Sequence, residues 1–238
     1  MVIAAVFAGG KGSRMGNTDT PKQYLMLGSK PIIIHTVEKF FVNPSVDKVI
    51  VLCPKVWVAQ TKDMIKKYIG AVDKIDVICG GASRNDTLMC ALEYIENNFG
   101  VDDDTVILTH DAVRPFVTHR IIEENIAAAK KYGACDTVFG ATDTIVESLD
   151  GETISNIPER KNMYQGQTPQ SFKVKRLREI CDSLTEEEKA ILTDACKIYT
   201  LKGEPVSLVE GEVFNIKITY PYDLKMAGVL LEGVKNND

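Results

Sequence analysis

Four glycines and three cations crowd the first 22 residues: Gly9, Gly10, Gly12 and Gly16, with Lys11, Arg14 and Lys22. Glycine admits positive φ and carries no Cβ, so backbone N–H groups in such a loop can be turned onto an anion at close range. Cations beside the loop make it suited to a polyphosphate. A second glycine pair, Gly80-Gly81, runs through Ala82, Ser83 and Arg84 to Thr87 and into a helical pattern. There, hydroxyls and a helix N-terminus again offer donors to a nucleotide, although the same residues also suit a plain Ser83 helix cap. Asp111 ends an apolar run and is followed by Arg114. It stands where a Mg²⁺ ligand belongs, since that ion takes one or two carboxylates plus substrate phosphates. The competing possibility is a turn salt bridge between Asp111 and Arg114. Lys217, flanked by Ile216 and Ile218, and Arg160 complete the set of placed charges.

No nucleophile accompanies these groups. The chain has no G-x-S-x-G, and His35, His110 and His119 form no H-x-x-x-H pair. His110 suits a satisfied structural histidine better than a base. An anion cradle with cations, one acid and no nucleophile fits transfer at phosphorus, which runs on positioning and on neutralising charge on the equatorial oxygens. The attacking group then comes with the second substrate. Two commoner phosphate loops are excluded by spacing. Gly10-x-Gly12 is followed by Gly16, one residue too late for a dinucleotide fingerprint, and although Lys11 follows Gly10, no glycine sits five positions before Gly10 and no Ser or Thr follows Lys11, as a P-loop requires.

The elements that must carry these residues follow an alternating pattern. Residues 3–8, 46–53 and 75–79 are apolar runs without alternation, as expected for strands buried on both faces. Helical stripes over 31–41 and 57–68 separate them, giving βαβαβ and hence a parallel sheet wrapped by helices. Ligands bind beyond the carboxyl ends of such strands. Further strands are expected over 105–109, 134–141 and 205–209. Helices are expected from the 80–87 turn to 98, over 118–132 with a Thr118 cap, and over 174–184, 186–192 and 221–231. Residues 142–163 alternate around Asp150-Gly151, the signature of a hairpin arm that must lie on something, with a partner subunit the natural candidate. Residues 164–172 are polar beside Pro169 and suit a buried turn reconnecting the arm to the sheet.

The chain of 238 residues has a formal net charge of −5, with 45% hydrophobic and 26% charged residues. Those values fit a globular protein with a real core and argue against general nucleic-acid binding, which needs a basic surplus. Six cysteines lack any C-x-x-C and several lie in apolar segments, which points to a reduced, cytoplasmic setting. No apolar run is long enough for a membrane span.

Seven stretches, in order, carry a family likeness: A-G-G-K-G-S-R-M-G (8–16), P-K-Q-Y (21–24), G-G-A-S-R-N-D-T (80–87), H-D-A-V-R-P (110–115), Q-T-P-Q-S-F (167–172), T-D-A-C (193–196) and N-I-K-I-T-Y-P-Y-D-L (215–224). Together they resemble the motifs of the CTP-dependent sugar-alcohol-phosphate cytidylyltransferases. These include enzymes for methylerythritol phosphate in isoprenoid synthesis and for ribitol 5-phosphate in teichoic-acid synthesis. The likeness implies one nucleotidyltransferase domain over 1–238, Rossmann-like, with a mostly parallel sheet, helices on both faces and a protruding β-arm at 142–163 that makes a homodimer. It implies that Arg14, Lys22 and Lys217 stabilise the reacting phosphates, and that Ala8, Gly9, Gly10, Lys11 and Gly12 hold CTP. Gly80, Gly81, Arg84 and Thr87 would surround cytosine and ribose, and Asp111 would help place Mg²⁺ and the acceptor. Arg114, with Thr144 and Arg160 from the other subunit's arm, would contact the polyol phosphate. A polyol-phosphate reductase is a further possible partner.

Four departures bear on the acceptor. Methylerythritol enzymes generally read H-D-A-A-R-P, D-T-x-K, L-W-x-x-Q-T-P-Q and T-D-[DE]-A. This chain has Val113, then Ile145-Val146-Glu147 after Thr144, then Met163-Tyr164-Gln165-Gly166, and Ala195-Cys196 after Asp194. Those four resemble the ribitol-phosphate branch, so ribitol 5-phosphate is the expected acceptor and methylerythritol 4-phosphate the alternative.

Overall fold

The computed structural model describes residues 1–10, 12–16, 20–71, 73–190 and 194–235. Lys11 and the end of the helix expected over 186–192 lie outside the described residues. The chain opens with β1 (Val2–Phe7), every residue of it buried, as its unbroken apolar run requires. A two-stranded ribbon of β2 (Met26–Leu27) and β3 (Lys30–Pro31), not anticipated from the sequence, leads into α1 (Ile32–Phe41). Then follow β4 (Lys48–Cys53), α2 (Val58–Tyr68), β5 (Ile75–Cys79), α3 (Arg84–Phe99), β6 (Val106–Asp111), α4 (His119–Tyr132) and β7 (Ala134–Gly140). The chain closes through β8 (Tyr164–Lys173), α5 (Val174–Asp182), α6 (Glu186–Ala190), α7 (Ala195–Leu201), β9 (Ser207–Glu210) and α8 (Pro221–Lys235).

The seven long strands form one sheet in the order β5-β4-β1-β6-β8-β7-β9. β1 runs parallel to β4 and β6, β4 to β5, and β7 to β9, while β8 is antiparallel to both its neighbours. Alternate residues of β1 feed two cores. Val2, Ala4 and Val6 pack with Ile33, Val37 and Phe40 of α1 and Ile121 and Ile122 of α4, whereas Ile3, Ala5 and Phe7 pack with Leu88, Leu92 and Ile95 of α3 and Leu177 of α5. The expected α/β architecture, mostly parallel with helices on both faces, is therefore present. Thr118 caps α4 as expected, its hydroxyl accepting from the Ile121 N–H at 3.3 Å.

Two expectations are corrected. Residues 164–173 are not a turn but a ten-residue strand at the interior of the sheet. The strand is polar because its side chains are paired: Gln170 Nε2 donates to Asp136 Oδ1 at 3.1 Å and Ser171 Oγ to Asn125 Oδ1 at 3.0 Å. The arm is not a laddered hairpin either. Asp150-Gly151 does turn, with Gly151 at φ 78° and Asp150 Oδ1 accepting from the Glu152 and Thr153 N–H groups, but its flanks meet at one antiparallel bridge between Glu147 and Asn156. Val146, Leu149, Ile154 and Ile157 are left exposed along it. A lone two-stranded unit gains too little from itself to build a longer ladder.

Candidate active site

The glycine loop leaves β1 at Ala8, whose N–H donates to the Leu52 carbonyl at 2.7 Å. Gly12 has φ 71°, and a Cβ there would lie 3.3–3.4 Å from the Lys22 backbone and side chain, so this glycine is what lets Lys22 sit against the loop. A short helical turn, Ser13–Met15, then presents Arg14, exposed, with its guanidinium 5.8 Å from the centroid of the Tyr220 ring. Beyond Pro21 a second turn, Lys22–Tyr24, is buried throughout. Gln23, 1% exposed, donates its side-chain amide to the Ala8 carbonyl at 2.6 Å. Tyr24 stacks on Trp57 at 4.4 Å between centroids, and its hydroxyl meets Thr61 Oγ1 at 2.8 Å.

The second wall grows from β5 and α3. Ser83 and Asp86 form a reciprocal capping box at the start of α3, each side chain taking the other's N–H at 3.0 Å. Ser83 thus caps the helix and also lines the cleft. Gly81 lies against Asp86 so closely that a Cβ would overlap its side chain and carbonyl carbon, and its N–H donates to Thr87 Oγ1 at 3.2 Å. From the first turn of α3, Arg84 reaches over the Phe7 ring at 5.2 Å and pairs with Asp111 at 2.6 Å.

Asp111 is the last residue of β6, two residues further along than the strand predicted from sequence. Its carboxylate meets three cations from three segments: Arg84, Lys217 at 3.0 Å and Arg114 at 3.4 Å. Burial by itself would raise this carboxyl, but Arg84, Lys217 and Arg114 together hold it far below the usual carboxylate range. The Asp111 N–H donates to Thr168 Oγ1 at 3.2 Å, and that hydroxyl lies 2.9 Å from His110 Nδ1. His110 Nε2 lies 3.0 Å from the Arg114 carbonyl. Burial pushes His110 down to about 4, so it is neutral near pH 7 and structural, as expected. In that state Nε2–H donates to Arg114 and Nδ1 accepts from Thr168.

These walls enclose a cleft of about 470 Å³ lined by Ala8, Gly9, Gly10, Gly12, Arg14, Lys22, Gly81, Arg84, Thr87, Asp111 and Lys217, all singled out from the sequence. Lys22 is lowered from its ordinary value, by burial first and then by the like charges of Lys217 and Arg14. A polyanion in the cleft relieves that repulsion. Other candidates lie off these walls. The Gly80 N–H is bonded to the Cys53 carbonyl at 2.9 Å. The Arg114 side chain is 11% exposed and donates to the Asn215 carbonyl at 2.8 Å, tying the Lys217 segment to β6. It serves both the salt bridge and the fold. Thr144 is exposed on the arm, and Arg160 lines a separate shallow cavity at the arm's base with Tyr164.

Sequence reasoning missed Gln23, Thr168 and Asn215 as parts of this site. Each is a polar residue inside a motif already noticed, and burial is the signal that separates them from solvent-facing neighbours. Among the described residues no group of three or more His, Cys, Asp or Glu is placed to hold a metal ion. A lone carboxylate at a polyphosphate cleft nonetheless suits Mg²⁺, which keeps its waters and binds through one carboxylate and substrate phosphates. Asp111 is the residue that would hold it.

A mostly parallel sheet whose strand ends carry a glycine cradle, converging cations and an acid has the layout of a nucleotidyltransferase. The sequence matches the family model described as IspD, 2-C-methyl-D-erythritol 4-phosphate cytidylyltransferase, over residues 2–233. The chain belongs to this family of CTP-dependent cytidylyltransferases. Its structure is similar to that of 4-diphosphocytidyl-2C-methyl-D-erythritol synthase from Anaerococcus prevotii, at 26% identity, with a TM-score of 0.80 and 97% of this chain and 96% of that one covered. It is also similar to 2-C-methyl-D-erythritol 4-phosphate cytidylyltransferase from Francisella tularensis, at 27% identity, TM-score 0.78 and coverage of 96% and 98%. The enzyme of that name from Thermus thermophilus aligns at 26% identity, TM-score 0.71 and coverage of 96% and 98%. None of the described helices is long and apolar enough to cross a membrane.

Proposed function

We propose that the whole chain acts as one domain that transfers CMP from CTP to D-ribitol 5-phosphate, giving CDP-ribitol and pyrophosphate. What carries the transfer chemistry is the convergence of Arg14, Lys22 and Lys217 on one cleft beside Asp111. An oxygen of the acceptor phosphate attacks the α-phosphorus in line as the bond to the bridging oxygen of pyrophosphate breaks. Lys22 and Arg14 neutralise the charge on the equatorial oxygens, and Lys217 holds the phosphate chain. The wall formed by Gly81, Arg84 and Thr87 receives the nucleoside. Mg²⁺ would add charge neutralisation on the phosphates, and Asp111 would hold it.

The choice of acceptor rests on three of the four motif departures. Val113 lines the cleft beside Asp111. Residues 145–147 lie on the arm, the segment expected to approach a partner's site, and residues 164–166 begin the strand that it feeds. Ala195 and Cys196 do not support the choice: they are buried against the sheet, and Asp194 caps α7 through the Lys197 N–H at 2.9 Å. Methylerythritol 4-phosphate is the second candidate, favoured by the activity for which the matching family model and the structural relatives are named. The exposed apolar side chains of the arm favour a homodimer, in which Thr144 and Arg160 reach the acceptor of the other subunit. A reductase that makes the polyol phosphate is the partner this chemistry would draw on. Mass spectrometry of the product formed from Mg²⁺-CTP and each acceptor tests the proposal. CDP-ribitol as the dominant product supports it, and formation of the methylerythritol product alone contradicts it.

A further inference from the structure

Both oxygens of the Asp111 carboxylate are engaged by cations expected to bind the substrates. Oδ1 takes Arg84 Nη1 at 2.6 Å, and Oδ2 takes Lys217 Nζ at 3.0 Å and Arg114 Nε at 3.4 Å. The three are not equivalent. Arg114 is pinned by the carbonyls of Asn215 and Gly166, at 2.8 and 3.5 Å, and stays with Asp111. Arg84 and Lys217 stand on the cleft wall with side chains 27% and 43% exposed, so each can turn to a ligand. An ammonium 3.0 Å from a carboxylate cannot give its full strength to a phosphate oxygen at the same time, because the carboxylate already neutralises it.

Building on the nucleotide site proposed above, we infer that Asp111 competes with the bound nucleotide for Lys217, which holds the phosphate chain, and for Arg84, which receives the nucleoside, and that a divalent cation arriving with the nucleotide ends the competition by taking the carboxylate. Metal and nucleotide then bind cooperatively, with Asp111 as the group that couples them. A site holding the same cations and no such acid would bind free polyphosphate as readily as its Mg²⁺ complex. Asp111 turns the cleft into one that selects the metal-loaded form.

The test is equilibrium binding of CTP, without acceptor, in EDTA and in Mg²⁺, for the wild type and for Asp111→Asn. Expected is a wild type that binds CTP much more tightly with Mg²⁺. Asp111→Asn should bind metal-free CTP about tenfold more tightly than wild type, within the usual range of coupling between linked ligands, and gain little from Mg²⁺. Adding Lys217→Gln to Asp111→Asn should reverse most of that gain, because the freed ammonium is its source. Thermal unfolding shows whether Asp111→Asn is folded. If it is not, Lys217→Gln alone reads the same coupling as a smaller ratio of Mg²⁺-present to Mg²⁺-absent affinity, and an unchanged ratio overturns the coupling. CTP binding with the same Mg²⁺ enhancement in wild type and Asp111→Asn overturns the coupling and leaves the nucleotide site standing. A wild type that binds CTP under neither condition overturns both.

Discussion

The side-chain amide of Gln23 donates to the backbone carbonyl of Ala8 at 2.6 Å, joining the turn that carries Lys22 to the loop that leaves β1. Gln23→Leu keeps the volume and removes the donor, leaving a buried carbonyl unpaired, which costs about 1–3 kcal/mol. A lowered melting temperature and a raised KM for CTP are the expected results. An unchanged KM would show that the loop holds its shape without this tie.

Lys22 is a buried cation facing two others, so its charge works against the fold and for the chemistry. Lys22→Ala and Arg14→Ala should each lower kcat by about 10²–10³-fold, the usual loss on removing one group that stabilises transition-state charge. Lys22→Met should leave the melting temperature unchanged or raise it, because it removes repulsion from Lys217 and Arg14. Near-normal turnover in the alanine variants would remove these residues from the reaction.

Burial raises Asp136 to about 6, and the nearby Asp194 adds to the rise, against a hydrogen bond from Gln170 that opposes it. A carboxyl whose folded value exceeds its unfolded one favours the fold in its protonated form. That contribution is complete below about pH 4 and is lost as pH rises through about 6. Asp136→Asn should therefore raise the melting temperature more at pH 7.5 than at pH 4.5. An equal effect at both values would mean the carboxyl is not strained when ionised.

Arg160 stands away from the cleft of its own chain, at the base of the arm. If the arm serves a second subunit, Arg160→Ala should chiefly raise the KM for the acceptor with little change in that for CTP. Mixing it with Lys22→Ala chains should restore activity, since one site of each mixed dimer then has an intact lysine and an intact arm. Mixtures no more active than the separate variants would place Arg160 in its own chain's site or in none.

The parallel half of the fold was legible because its strands are buried on both faces and are written as apolar runs. β8 was not, since Thr168, Gln170 and Ser171 are buried as hydrogen-bonded polar groups, and only the partners, 34 to 58 residues away, reveal them as strand residues. Alternation around Asp150-Gly151 correctly marked a turn, but alternation cannot say whether a ladder has anything to pack on. In the site, glycines and cations at strand ends were readable because strand order fixes where those ends converge. The Arg114 salt bridge to Asp111 was readable as a turn pair, but its two backbone carbonyl partners were not, because they lie in segments remote in sequence. Likewise the Ala195-Cys196 departure looked like a change near the acceptor and lies in the core, since α7 turns that face to the sheet.

Pyrophosphate release from Mg²⁺-CTP, measured with ribitol 5-phosphate and with methylerythritol 4-phosphate as competing acceptors, bears most directly on the function proposed. Release that requires a polyol phosphate and has its higher kcat/KM with ribitol 5-phosphate is the predicted result. Preference for methylerythritol 4-phosphate would contradict the acceptor choice, and release with neither would contradict transfer to a polyol phosphate altogether.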